Sequence, residues 1–132
     1  MNSTSDNDGG DFHYLSAQDV ININDEITGE VMIRDIHLLN SALRRPFIAL
    51  FGEEQFPTII DKAAAYFESL AYHHLFIDGN KRTAIQAVTL YLARNGLRFA
   101  YDEKRDGDFV LSVAQGAETT DSIAAWLDAR LG

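Results

Sequence analysis

The sequence predicts an all-α fold: a compact helical bundle around one central buried helix, with a short extended flap. Three observations carry this. Residues 84–93 (AIQAVTLYLA) are apolar on nearly every side and are followed by the stop signal Asn95-Gly96, so residues 80–95 read as a buried helix. On either side of it, apolar residues recur every three or four positions between turn signals. Little else reads as strand, which leaves room for at most a small hairpin.

Along the chain, Ser16 and Asp19 form a capping-box pattern after Tyr14-Leu15. They open a helix with Val20, Ile23 and Ile27 on one face, which breaks at Thr28-Gly29. A second helix is predicted over 33–44, with Ile36, Leu39 and Leu43 at helical spacing and Pro46 as its stop. The run 46–51 (PFIALF), bounded by Gly52, suits an extended segment better than a helix. Pro57-Thr58 opens a third helix, along which Ile59, Ala63, Phe67, Leu70 and His74 form one stripe, placing His74 at the end of a core-facing row. After the central helix, a connection carrying Phe99 and Tyr101 leads to a helix over 106–115, closed by Gly116. A last helix over 120–131 buries Ile123, Trp126, Leu127 and Leu131.

The 132 residues, 46% of them apolar, fit one domain with one core, here 12–132, after a polar and acidic tail at 1–11. A net charge of −9 disfavours direct nucleic-acid binding, which needs a broad basic surface. The absence of Cys removes disulfides, thiol nucleophiles and cysteine metal sites, and is compatible with a reducing cytoplasm. The tail does not have the layout of a signal peptide, and no apolar run is long enough to span a membrane, so a cytoplasmic protein is expected.

The chemistry concentrates in the nine residues 74–82, which hold a base, an acid, an amide, a glycine and two cations between apolar segments. Lys81 and Arg82 fall in the first turn of the central helix, where they oppose its macrodipole. An anion resolves that conflict. With Gly79 letting a ligand approach the backbone, the free N–H groups of this turn and the two cations can converge on phosphate oxygens. His74 is a candidate general base, against the plainer alternative of capping the preceding helix. Asp78 is a candidate Mg²⁺ ligand, against a role as the acid of an Asp-Gly turn. Asn80 either orients a phosphate or N-caps the helix. Phe76 is a packing anchor for the loop. Competing chemistries fail on spacing: Gly79-Asn80-Lys81 matches only the end of a P-loop pattern, and neither a zinc-hydrolase His-Glu-x-x-His nor a His-Asp dipeptide occurs. His13, His37 and His73 have no comparable context.

The segment from His74 through Phe76, Asp78, Gly79 and Asn80 to Arg82 resembles the motif H-x-F-x-[DE]-G-N-x-R of the Fic/Doc family, most closely its death-on-curing branch. Arg34-Asp35, Ser41-Ala42-Leu43, Arg45-Pro46 and Tyr91-Leu92-Ala93-Arg94-Asn95-Gly96 extend the likeness. The resemblance implies a toxin with ATP and Mg²⁺ as co-substrate and cofactor. In it His74 would be the base for a target Ser or Thr hydroxyl, Asp78 the metal ligand, and Gly79, Asn80, Lys81 and Arg82 the phosphate-binding residues. Phe76 would anchor the loop, and Pro46, Phe47, Ile48, Ala49, Leu50 and Phe51 would form a flap that aligns the target by edge pairing. Most of the family carries Gly where this chain has Lys81 and transfers AMP, whereas the Lys version is associated with a reversed nucleotide and phosphoryl transfer. The implied target is elongation factor Tu. No Glu is followed by Gly or Asn, so the family's internal inhibitory motif is absent and a separate Phd-like antitoxin is expected. AMP transfer, and a non-catalytic binding module acting through its partner, are the alternatives.

Overall fold

A computed structural model describes residues 13–132. Among them are six α-helices: α1 (Ala17–Thr28), α2 (Ile36–Arg44), α3 (Ile59–Tyr72), α4 (Asn80–Arg94), α5 (Glu103–Ala114) and α6 (Thr120–Asp128). Between α2 and α3 lie a 3₁₀ turn, Arg45–Phe47, and a two-stranded antiparallel hairpin, β1 (Ala49–Leu50) and β2 (Glu53–Glu54). Its register pairs Ala49 with Glu54 and Leu50 with Glu53. The fold is therefore all-α with a small hairpin, as the periodicity implies. The tail expected at 1–11 lies outside the described residues.

Local chemistry sets most helix starts. Ser16 and Asp19 exchange the two bonds of a capping box at α1, and Thr58 with Asp61 does the same at α3. The second helix begins at Ile36 and not at 33, because the Asp35 carboxylate accepts from the backbone N–H groups of His37 and Leu38. Ile33 lies outside it, in an isolated bridge with Phe76. Likewise α5 starts earlier than 106, since Asp102 caps it. The last helix stops at Asp128, short of 131; Leu131 instead pairs with Phe99 in a bridge. In the run 46–51, Pro46 and Phe47 continue the helical path as a 3₁₀ turn, and the extended part is confined to the hairpin.

The core runs from Leu15 to Leu127. The central helix α4 buries Thr83, Ala84, Ile85, Ala87, Val88, Tyr91 and Leu92 while Gln86 and Thr89 face outward. It shares the centre with α3, which packs most extensively against α4 and α6. Ala63, Ala64 and Ala65 of α3 are fully buried, and their small side chains allow this close helix approach. Ile36 and Ile59, expected on buried stripes, are exposed at helix starts. No helix among the described residues is long and apolar enough to cross a membrane.

Candidate active site

The motif loop begins where α3 ends. His73 is the C-cap of α3, its N–H bonded to the Ser69 carbonyl but its backbone already extended, so His74 leaves the helix altogether. This corrects the expected placement: His74 is exposed and does not sit at the end of a core-facing stripe. The C-cap position itself is held by His73. The half-buried His73 ring packs edge-on against Tyr72 at 5.2 Å. His74 lines an open cleft of about 390 Å³ with Arg34, Asp35, Leu38, Tyr72, His73 and Ala114.

Backbone pairing holds the loop behind His74. The Leu75 carbonyl accepts from the N–H groups of Arg34 (2.7 Å) and Asp35 (3.4 Å), and the Ile77 N–H donates to the Met32 carbonyl (2.9 Å). Leu75 and Phe76 are buried beneath this pairing, and burying the Phe76 ring contributes roughly 2–3 kcal/mol. Asn80 closes the loop from the other side: its amide accepts from the Phe76 N–H (3.0 Å) and donates to the Phe76 carbonyl (2.8 Å). Asn80 is thus the first helical residue and not the N-cap, a position held by Gly79.

Gly79 has φ +77°, and a Cβ there would lie 2.9 Å from Thr28 Cγ2 and 3.3 Å from Asn24 Nδ2. Its missing side chain faces α1, so the glycine is required by packing and by left-handed backbone. Asn24, a residue outside the motif, is 1% exposed and donates from Nδ2 to the Asp78 carbonyl (3.0 Å) and to Thr83 Oγ1 (3.1 Å). Its signal was present: an amide four residues after Val20, interrupting an apolar face.

Lys81 and Arg82 are exposed on the first turn of α4 and make no ion pair among the described residues. The first ladder bond of α4 runs from the Thr83 N–H to the Gly79 carbonyl, so the N–H groups of residues 80–82 precede it. Both cations line a second cleft, of about 540 Å³, with Tyr101, Glu103, Gly107 and Val110 among its walls. Burial, then its bond to Glu103, pushes the Tyr101 phenol up to about 12, so it stays a donor. His74 is thus among the residues lining the first cleft, and the cation pair among those lining the second.

Asp78 is exposed; its Oδ1 accepts from the Gly79 N–H at 2.8 Å. Among the described residues no group of three or more His, Asp or Glu side chains converges on a metal position. One carboxylate does fit Mg²⁺ that arrives with phosphate oxygens, the usual protein share for that ion. Of the flap residues, Pro46 is buried, Phe47 packs edge-on against Tyr14 at 4.7 Å, and Ile48, Ala49, Leu50 and Phe51 are exposed.

The sequence model of the Fic/DOC family matches residues 14–92. The chain belongs to the Fic/DOC family. It is 40% identical over 117 residues to Toxin Doc of Mycolicibacterium smegmatis, covering 86% of this chain and 90% of that protein. It is 32% identical over 71 residues to protein kinase Doc of Escherichia phage P1, covering 54% of this chain and 56% of that one. The Fic/DOC match spans α1 through most of α4, and therefore the whole loop that carries His74, Asp78 and the cations.

Proposed function

We propose that the protein is a Doc-type toxin of a toxin–antitoxin pair. It transfers the terminal phosphoryl group of ATP to a Ser or Thr hydroxyl of a cytoplasmic protein, elongation factor Tu by family resemblance, and so blocks translation. The observation that carries this reading is Lys81, an exposed cation without an ion-pair partner among the described residues, at a turn where helix electrostatics disfavour it. It stands where most of the family has Gly. The name of the phage relative, protein kinase Doc, supports the same chemistry.

In this reading His74, open to solvent on its cleft, takes the proton of the target hydroxyl. The hydroxyl oxygen forms a bond to the terminal phosphorus as the bond to the bridging oxygen breaks, and ADP leaves. Lys81, Arg82 and the leading N–H groups of α4 hold the phosphate oxygens and take up the charge that develops on them. Asp78 would hold Mg²⁺, which supplies charge neutralisation when bound. The Asn80 side chain serves by fixing the loop, and Phe76 by anchoring it. Among the described residues the outer edges of the hairpin are unpaired, and a target segment can add to one of them as a strand. Control falls to a Phd-like antitoxin.

The test is the intact mass of elongation factor Tu after incubation with the chain and Mg-ATP. A gain of one phosphate supports the proposal. A gain of AMP moves the chain to nucleotidyl transfer, and an unchanged mass with folded chain leaves a binding module.

A further inference from the structure

The hairpin between α2 and α3 is too small to hold its own position. Its strands have two residues each, and Ile48, Ala49, Leu50, Phe51 and Gly52 are all exposed, so it buries little apolar surface of its own. A two-stranded ribbon of that size is marginal in water without an outside anchor. An anchor is supplied by one side chain, Lys62 on α3.

Lys62 reaches both stems of the hairpin. Its ammonium pairs with the Glu54 carboxylate on β2 (2.8 Å) and donates to the carbonyl of Phe56, two residues beyond that strand. On the other stem the Phe47 ring lies 5.6 Å from the same Nζ, within cation–π range, and meets Tyr66 of α3 edge-on at 6.3 Å. One ammonium is thus shared between the segment that enters β1 and the segment that leaves β2. The Lys62 side chain is only 12% exposed, whereas that of Glu54 is 57% exposed. A cation so far withdrawn from water needs partners, and a plain surface lysine would point outward instead.

The register shows what this arrangement fixes. The Gln55 N–H donates to the Ile48 carbonyl (3.0 Å), so the next pair along, Ala49 and Glu54, is a non-hydrogen-bonded one. The N–H and C=O of Ala49 therefore point out from the β1 edge, and its side chain shares a face with that of Glu54. Drawing Glu54 onto Lys62 turns that face toward α3 and sets the direction in which the β1 edge looks. Lys62 itself lines neither the His74 cleft nor the cleft of Lys81 and Arg82. We propose that Lys62 is a positioning residue for the protein target: it latches the hairpin to α3 so that the β1 edge keeps one pose, and it acts on target docking and not on the nucleotide. The inference rests on the target-docking role of the flap given above and adds what holds the flap in place.

The test uses Lys62→Met, which keeps the length and apolar stem of the side chain and removes its charge and donors. On the full chain it reads hydrogen exchange at the Gln55 amide, ATP affinity by calorimetry, and kcat and KM with elongation factor Tu as the target. Gln55 exchange and the target KM should both rise about tenfold, from the loss of charge-assisted hydrogen bonds, while ATP affinity, kcat and exchange at the core amide of Val88 stay at wild-type values. Glu54→Ala, at an exposed position, guards against a folding defect in the first variant and should shift the same two readouts by about two- to fivefold, as for a partly exposed pair. Wild-type exchange at Gln55 in both variants overturns the latch, as does a change that extends to Val88 or to ATP affinity. Faster Gln55 exchange with an unchanged target KM overturns the docking role. Absence of transfer from the wild-type chain instead defeats the transfer reading, and the exchange comparison then decides the latch alone.

Discussion

His74 carries the sharpest division between a chemical and a structural residue. It is exposed and outside any helix, and its ring has no hydrogen-bond partner among the described residues, so folding places few demands on it. His74→Ala should lower target modification by 10²–10⁴, the typical effect of losing a positioned base, while changing stability by less than about 0.5 kcal/mol. Rate measurements beside urea unfolding check both halves. Lys81→Gly restores the pattern of most Fic/DOC members; phosphoryl transfer should fall and AMP transfer appear, as read by the mass added to the target. An unchanged phosphorylation rate would make Lys81 a bystander. The dense run 74–82 was legible because packing alone does not assemble that mixture of groups. The supports were harder to see: Asn24 and Gly79 act through tertiary contacts between α1 and the loop, separated by more than fifty residues, and no local pattern encodes such a partner.

At the scale of elements, periodicity located every helix and capping chemistry moved the ends. Asp35 accepts from the N–H groups of His37 and Leu38, and Asp102 from that of Lys104, so α2 starts later and α5 earlier than their apolar patterns suggest. The flap is the element least like its sequence reading. Its turn has positive φ at both Phe51 (52°) and Gly52 (81°), as two-residue hairpins favour, but Phe is a poor residue for the first of these positions. The Phe51 side chain is also fully solvent-exposed. Phe51→Asn should therefore stabilise the protein by about 1 kcal/mol, the left-handed penalty relieved. Thermal unfolding of the two chains checks this; a lowered midpoint would show that Phe51 makes a stabilising contact.

Across the whole molecule, two ion-pair groups join distant parts of the chain. Arg94 on α4 binds Asp19 on α1 at 2.7 Å, and this guanidinium bond holds the Asp19 carboxyl below its ordinary value. Asp106, fully buried in α5, binds Arg105 (2.8 Å) and Arg130 (2.7 Å) near the C-terminus. The Arg105 guanidinium, followed by the Asp102 N–H and Arg130, holds the Asp106 carboxyl far below the usual carboxylate range, against the opposing effect of burial. Because the folded carboxyl is the stronger acid, its contribution is complete above the unfolded value of 3.8 and declines as pH falls below it. Asp106→Asn should cost about 3 kcal/mol at neutral pH, the low end for breaking a buried pair because Arg105 is half exposed and screened. The gap from wild type should narrow between about pH 4 and pH 2, measured by urea unfolding at each pH.

Which phosphate of ATP leaves with the target can be measured directly. Elongation factor Tu is incubated with the wild-type chain and with Mg-ATP labelled in the γ-phosphate, and in parallel with ATP labelled in the α-phosphate. Label is expected on the target from the γ-labelled nucleotide alone, and none from either when His74→Ala replaces the wild-type chain. Transfer of the α label, or an unlabelled target in both arms, would contradict it.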